Sequence, residues 1–174
     1  MKVLLHVCCG VCSASVVERL RRENYKVTGF FYNPNIQPFA EYKKRLITAR
    51  RISKILGFEL LEGEYDLNPW IRKTKPFRRA PEGGERCRLC FSIRLSETYQ
   101  LFKKLKTFDK FTTTLTVSPH KDAPLINELG LHIGGVYYLS RDFKKEDGYK
   151  HAIELAKEWD LYRQGYCGCV YSKV

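Results

Sequence analysis

The chain opens on a nearly unbroken apolar run, "KVLLHV" (2–7), the pattern of a strand covered on both faces. The period then changes. Over 13–23, Val16, Val17 and Leu20 form an apolar stripe while Glu18, Arg19, Arg21 and Arg22 face water, which predicts a helix. A second strand, "KVTGFFYN" (26–33), stops at Pro34. A long helix over 39–56 carries Phe39, Tyr42, Leu46, Ala49, Ile52 and Leu56 on one side and ends at Gly57. "FELLEGEY" reads as a third strand, 66–75 as a short helical turn, "RRAPEGGERC" (78–87) as a loop, and 88–105 as a helix. In "KFTTTLTVSP" (110–119), Phe111, Thr113, Leu115 and Val117 alternate with Thr112, Thr114, Thr116 and Ser118, which predicts a strand with one hydroxyl-rich side. A helix over 122–129, with Pro124 in its first turn and Gly130 beyond its end, precedes a last strand in "GGVYYLS". The final helix, 148–159, carries Tyr149, Ala152, Ile153, Ala156 and Trp159.

Strands separated by helices predict an α/β fold, a Rossmann-like and mostly parallel sheet flanked by helices. At 174 residues the chain is read as one domain, 1–174, with a Cys-bearing loop and helix at about 76–105 and a tail at 160–174. Ligands of such sheets sit beyond the carboxyl ends of the strands. Cys8 and Cys9 end strand one, Asn33 ends strand two and Ser118 ends the Thr-rich strand, so all are expected on one rim.

The chemistry of that rim is thiol chemistry. "LLHVCCGVCS" places Cys8, Cys9 and Cys12 at the turn after strand one, and "CRLC" adds Cys87 and Cys90. Cys9 and Cys12 share the two-residue spacing of a metal knuckle, so two such pairs meet the needs of a four-thiolate site. Spacing does not choose between zinc and iron–sulfur. A position on the functional rim, and seven thiols where structural zinc needs four, favour a cluster. The pair Cys167 and Cys169 in "CGC" differs in kind. One intervening glycine makes any disulfide a tight ring, of the easily reduced sort suited to redox exchange or to holding another metal.

Composition sharpens this. Lys and Arg number 31 against 19 Asp and Glu, a net charge of +12 that favours a polyanionic partner, and the basic residues bunch in "RLRREN", "KKRLITARR", "RKTKPFRRA" and "KKLK". An odd cysteine count, no visible signal peptide and no membrane-length apolar run point to a cytoplasmic, reducing compartment. "CCGVCS" has a single glycine, so neither GxGxxG nor GxxxxGK[ST] is present and no ATP site is expected there. His6 reads as a core residue, His120 as a rim residue able to donate a proton, and His132 and His151 as surface residues.

Taken together, "LLHVCCGVCS", "FFYNPNIQPFAEYKKR", "CRLCFSIRL", "FTTTLTVSPHKD", "FKKEDGYKHAIELAKE" and "LYRQGYCGC" resemble the cobalamin-independent, QueH-type epoxyqueuosine reductases over most of the chain. Gln37 stands where His is common in that pattern, and His120 where Tyr is common. The resemblance implies a HUP-type fold and reductive removal of an epoxide oxygen from epoxyqueuosine in a tRNA anticodon loop, with electrons from an external donor. It also implies a 4Fe–4S cluster on Cys8, Cys9, Cys87 and Cys90, and a redox-active Cys167/Cys169 pair. Cys12 is left free for the substrate or, with Cys167 and Cys169, for a second, adjacent iron. Loop bases are usually splayed onto aromatics with cations on the backbone, which nominates Tyr32, Phe77, Arg78, Arg79, Tyr162 and Arg163. The rival readings are a zinc-containing tRNA-binding domain without redox activity and a sulfur-transfer enzyme on a related fold.

Overall fold

The computed structural model describes residues 1–172. Four strands, β1 (Lys2–His6), β2 (Lys26–Phe31), β3 (Glu59–Glu62) and β4 (Lys110–Thr113), form one sheet in the order β3-β2-β1-β4. Every pairing is parallel, with Leu5 opposite both Gly29 and Thr112. β1 is therefore central, and all but its first residue is buried, as its unbroken apolar run requires. The helices are α1 (Gly10–Arg22), α2 (Phe39–Leu56), α3 (Leu67–Thr74), α4 (Glu85–Leu105), α5 (Ala123–Gly134) and α6 (Gly148–Glu158). α1 packs on α2 and α6, while α4 packs on α3 and α5, giving helices on both faces of the sheet.

The Thr-rich run departs from the strand expected over 110–119. β4 ends at Thr113, and Thr114–Val117 coil into a 3-10 turn. The cause is local: the Thr113 hydroxyl accepts the Leu115 N–H at 3.1 Å, which bends the chain out of the ladder. The four threonines 112–114 and 116 are buried, so no hydroxyl-rich face meets water. Ser118 lies five residues past the end of β4, not at it.

Nor does "GGVYYLS" form a strand. Gly135 takes a positive φ of 52°, a 3-10 turn covers Gly135–Tyr137, and only an isolated bridge joins Tyr138 to Phe111. α5 runs through Gly130 instead of stopping there. Gly130 answers a packing need, because a Cβ would lie 2.3 Å from the Tyr138 ring. α1 and α4 begin earlier than the periodicity predicts, which places Cys12 and Cys87 inside first helical turns. Gly57 does end α2, in the left-handed conformation at φ 60°.

The single glycine of "CCGVC" also has a packing role. A Cβ on Gly10 would sit 2.7 Å from the Thr48 carbonyl carbon and 2.8 Å from the Ala49 nitrogen, so the start of α1 lies directly on the α2 backbone. Backbone cannot swing aside as a side chain can. Gly10→Ala is expected to cost about 1–3 kcal/mol, the range for overpacking a tight contact. Urea unfolding of the two proteins checks this, and an unchanged midpoint would refute the contact.

Candidate metal centre and active site

Between β1 and α1 only Val7, Cys8 and Cys9 intervene, so the strand delivers its thiols straight to a helix N-terminus. Cys9 is the N-cap of α1, with extended backbone, and its sulfur accepts the Cys12 N–H at 3.4 Å. A thiol thus fills the place usually held by a Ser or Asp oxygen. Cys12 sits one turn on. The sulfurs of Cys8, Cys9 and Cys12 all lie within 4.8 Å of one another, and all three residues are buried.

The 3-10 turn that follows β4 completes this pocket. The Thr114 hydroxyl donates to Cys8 Sγ at 3.2 Å and accepts the Cys8 N–H at 3.0 Å. Hydrogen bonds from Cys12 and Cys9 hold the Cys8 thiol well below its ordinary range, against the cost of burial. Cys12 is pushed well above that range, chiefly by its hydrogen bond with Cys8. Cys9 rises to about 11, because its bond with Cys12 is outweighed by Cys8 and by burial.

His6 stands beneath them as a core residue, as its place in β1 predicts. Its ring nitrogens meet the Thr113 hydroxyl at 2.9 Å and the Tyr32 carbonyl at 3.0 Å. Burial lowers its pKa to about 4, so it is neutral at physiological pH.

The other four thiols gather around a neighbouring small cavity. Cys87 and Cys90 reach it from the first turns of α4, and Cys167 and Cys169 from the C-terminal tail. Burial raises the pKa of both Cys87 and Cys90. The ligand set Cys8, Cys9, Cys87 and Cys90 is thus split between two adjoining groups. Arg94 and Cys167 line both the Cys87/Cys90 cavity and the one beside Cys8, so the two groups adjoin. All seven cysteines are free.

This chamber fits an anionic, thiolate-bound group. Three buried donors line the four-thiol cavity or its wall without a hydrogen-bond partner among the described residues: Trp70 Nε1, Arg86 Nε and Arg94 Nη2. Arg86 and Arg94 are each 2% exposed, and neither has a carboxylate partner among the described residues. Burial opposes the charge of Arg94, but Cys90, Cys167 and Cys8 outweigh it and raise its pKa. Periodicity missed these arginines, although Arg94 repeats with Cys90, Phe91, Leu95 and Thr98 on the buried side of α4.

The chamber opens to solvent through a cavity of about 380 Å³ lined by Cys12, Cys167, His120, Lys121, Tyr149 and Tyr166. Its size suits one nucleoside. A second cavity of about 290 Å³ lies between α1 and α6, but no cysteine lines it, Arg19 pairs there with Glu146 and the His151 ring bonds Glu18. The thiols, not that cleft, mark the site.

A family model described as epoxyqueuosine reductase QueH matches residues 3–174. The chain belongs to the QueH family. Epoxyqueuosine reductases QueH of Streptococcus pyogenes serotype M1 and Thermotoga maritima are 41% and 36% identical to it. Each alignment covers 98% of this chain, with 69% of the first relative and 89% of the second. The Haemophilus influenzae QueH is 37% identical over 98% of this chain and 71% of its own length. Among solved structures, one described as a predicted subunit of tRNA methyltransferase from Methanocaldococcus jannaschii matches with a TM-score of 0.56. It is 18% identical and covers 90% of this chain and 76% of that one, a likeness of fold alone.

The residues nominated for RNA contact scatter around this QueH rim. Phe77, Arg78, Arg79, Tyr162 and Arg163 are exposed, whereas Tyr32 is half-buried and stacks on Phe30. Tyr162 is tied by its hydroxyl to Glu41 at 2.6 Å. His120 is exposed at the cavity, as expected of the rim, and His132 is on the surface. His151 is half-buried against Glu18.

Thr114 is the residue that ties β4 to the thiol trio. Thr114→Val keeps the shape but leaves the buried Cys8 N–H unpaired, which is expected to cost about 1–3 kcal/mol. It also removes a donor from the Cys8 thiolate. Alkylation of Cys8 in metal-free protein, followed over pH, should show its thiolate forming at higher pH than in the wild type.

Proposed function

We propose that this chain is an epoxyqueuosine reductase, an oxidoreductase that removes the epoxide oxygen from epoxyqueuosine in the anticodon loop of tRNA and leaves the alkene of queuosine. The observation that carries the reading is the gathering of seven free thiols with two buried arginines that have no carboxylate partner among the described residues, at the foot of a nucleoside-sized cavity. Family membership supplies the substrate and the reaction.

Cys8, Cys9, Cys87 and Cys90 are the residues assigned to a 4Fe–4S cluster, with Cys12, Cys167 and Cys169 beside the open cavity for substrate or a second iron. Their thiolates are the soft donors such groups take, and Arg86, Arg94 and Lys121 balance the negative charge. When bound, a cluster supplies single electrons and an adjacent iron supplies Lewis acidity.

The reaction consumes two electrons and two protons and releases water. Cys167 and Cys169 can supply all four: the two S–H bonds break, one S–S bond forms, both C–O bonds of the epoxide break and a C=C bond forms. An external donor then returns the pair to the dithiol. His120 and Lys121 line the cavity wall and offer hydrogen-bond donors to the leaving oxygen. Tyr149 and Tyr166 offer faces on which a splayed base can stack. The basic surface supplies the sequence-independent attraction for the phosphates around it.

One anaerobic preparation tests the reading. The expected product is a brown protein carrying iron and sulfide that converts epoxyqueuosine-containing tRNA with an artificial reductant. A colourless protein with stoichiometric zinc and no turnover would establish the non-redox rival. The Cys167→Ser, Cys169→Ser double variant should lose at least a hundredfold in turnover, and full activity would remove that pair from the mechanism.

A further inference from the structure

The tail that carries Cys167 and Cys169 has little regular structure, yet its backbone is held at three successive carbonyls, 166 to 168. Arg45, on α2, is 2% exposed and spends its whole guanidinium on this task. Nη2 donates to the Tyr166 carbonyl and Nη1 to the Cys167 carbonyl, each at 2.9 Å. Nε donates to Glu41 Oε1 at 2.7 Å, one turn back on the same helix. The other Glu41 oxygen accepts the Tyr162 hydroxyl at 2.6 Å, so the network returns to the tail four residues before Tyr166. The guanidinium also lies 5.3 Å from the centre of the Tyr166 ring.

The next carbonyl is held too. Gly168 O accepts the Gln37 N–H at 2.7 Å, and the Tyr166 hydroxyl donates to the Gln37 carbonyl. Gly168 has a φ of 121°, and a Cβ there would lie 3.0 Å from Arg45 Nη1. The glycine of "CGC" therefore serves the close approach of Arg45 as well as the turn. Three consecutive carbonyls, 166 to 168, are tied down around a pair of thiols that are both free.

From this geometry we infer that Arg45, anchored by Glu41 and Tyr162, is a positioning residue that holds the Cys167/Cys169 pair in its dithiol form and thereby sets its redox equilibrium. The inference rests on the reductase reading, in which that pair is the two-electron store. Closing an S–S bond across one glycine requires the peptides at 167–168 and 168–169 to rotate, and rotation pulls their carbonyls off Arg45 and Gln37. The bonds exist in the dithiol and are lost or strained in the disulfide. Arg45 thus makes the disulfide easier to reduce, so that the external donor restores the dithiol after each turnover. Lysine cannot replace it, because one ammonium does not span two carbonyls and a carboxylate in the fixed fork of a guanidinium.

The test is the equilibrium of the pair with glutathione, in which the dithiol and glutathione disulfide exchange for the protein disulfide and two glutathiones. Iron-loaded wild-type protein and Arg45→Lys are equilibrated anaerobically in glutathione buffers and quenched by alkylation. The Cys167/Cys169 peptide is then read by mass spectrometry. The expected result is about a tenfold shift of Arg45→Lys towards the disulfide, equivalent to a midpoint about 30 mV more negative, with iron content and circular dichroism unchanged. Tyr162→Phe, which loosens only the Glu41 anchor, should shift the same way by a smaller factor. It decides the matter if Arg45→Lys does not fold. An unchanged equilibrium in Arg45→Lys, or in Tyr162→Phe where it is the only folded variant, would overturn the inference. This is distinguishable from failure of the reductase reading, which shows as a zinc protein without turnover, and from failure of the pair as the two-electron store, which shows as turnover surviving in the double serine variant.

Discussion

The constraint on which the rest of the molecule depends is the burial of crowded sulfur at the end of a central strand. β1 is flanked by β2 and β4 and is sealed on both faces, and the three thiols that follow it are buried as well. Neutral thiols in that position pack as small hydrophobes, whereas a thiolate among them needs donors. The structure meets the need from every side: the first turn of α1, the Thr114 hydroxyl from the end of β4, and cations from α4 and the α5 approach. A buried arginine without a carboxylate is costly by several kcal/mol unless something anionic offsets it. Arg86 and Arg94 have no such carboxylate among the described residues. Their presence makes sense when the thiols are read as the counter-charge.

The same logic explains why the C-terminal tail is so heavily tied. A tail with no helix or strand of its own would ordinarily fray. Here its residues close the roof of the chamber: Cys167 borders all three of the cavities around the thiols. Order in the tail comes from α2 rather than from its own backbone. A helix that looks like a peripheral cover for the sheet is, at its N-terminal end, the support of the tail that carries Cys167 and Cys169.

Most of the fold was legible because period and punctuation agreed along much of the chain. The apolar run of β1, the stripe of α2 and its closing Gly57 left little choice. The reading failed where side-chain hydroxyls and close packing overrode the pattern. Alternation in "KFTTTLTVSP" looks like a strand, yet a threonine oxygen that captures a backbone N–H two residues on can end the ladder within it. Gly130 looks like a helix stop, yet it faces the Tyr138 ring, and no sequence pattern says which aromatic will arrive from outside the helix. At the site, the cysteines were visible because their spacing is unusual, and their partition into two adjoining groups was not. That partition depends on where the tail folds back, and the tail has no periodicity to read.

Arg45 shows how helical register separates two kinds of cation. It lies in "KKRLITARR", a basic stretch that reads as a phosphate-facing surface, yet its position falls between Tyr42, Leu46 and Ala49 on the inward stripe of α2. A charged residue in the apolar register, with Glu41 one turn before it, signals a buried pair with a purpose. Arg94 gives the same signal between Cys90, Leu95 and Thr98 on α4. The basic character of this chain therefore serves two anions at once. Exposed cations such as Arg78, Arg79 and Arg163 are free to meet a phosphate backbone, whereas Arg45, Arg86 and Arg94 face inward to the thiol chamber and its tail. Net charge counts both kinds alike. Only the helical register separates the cations that recruit a polyanion from those that hold the chemistry in place.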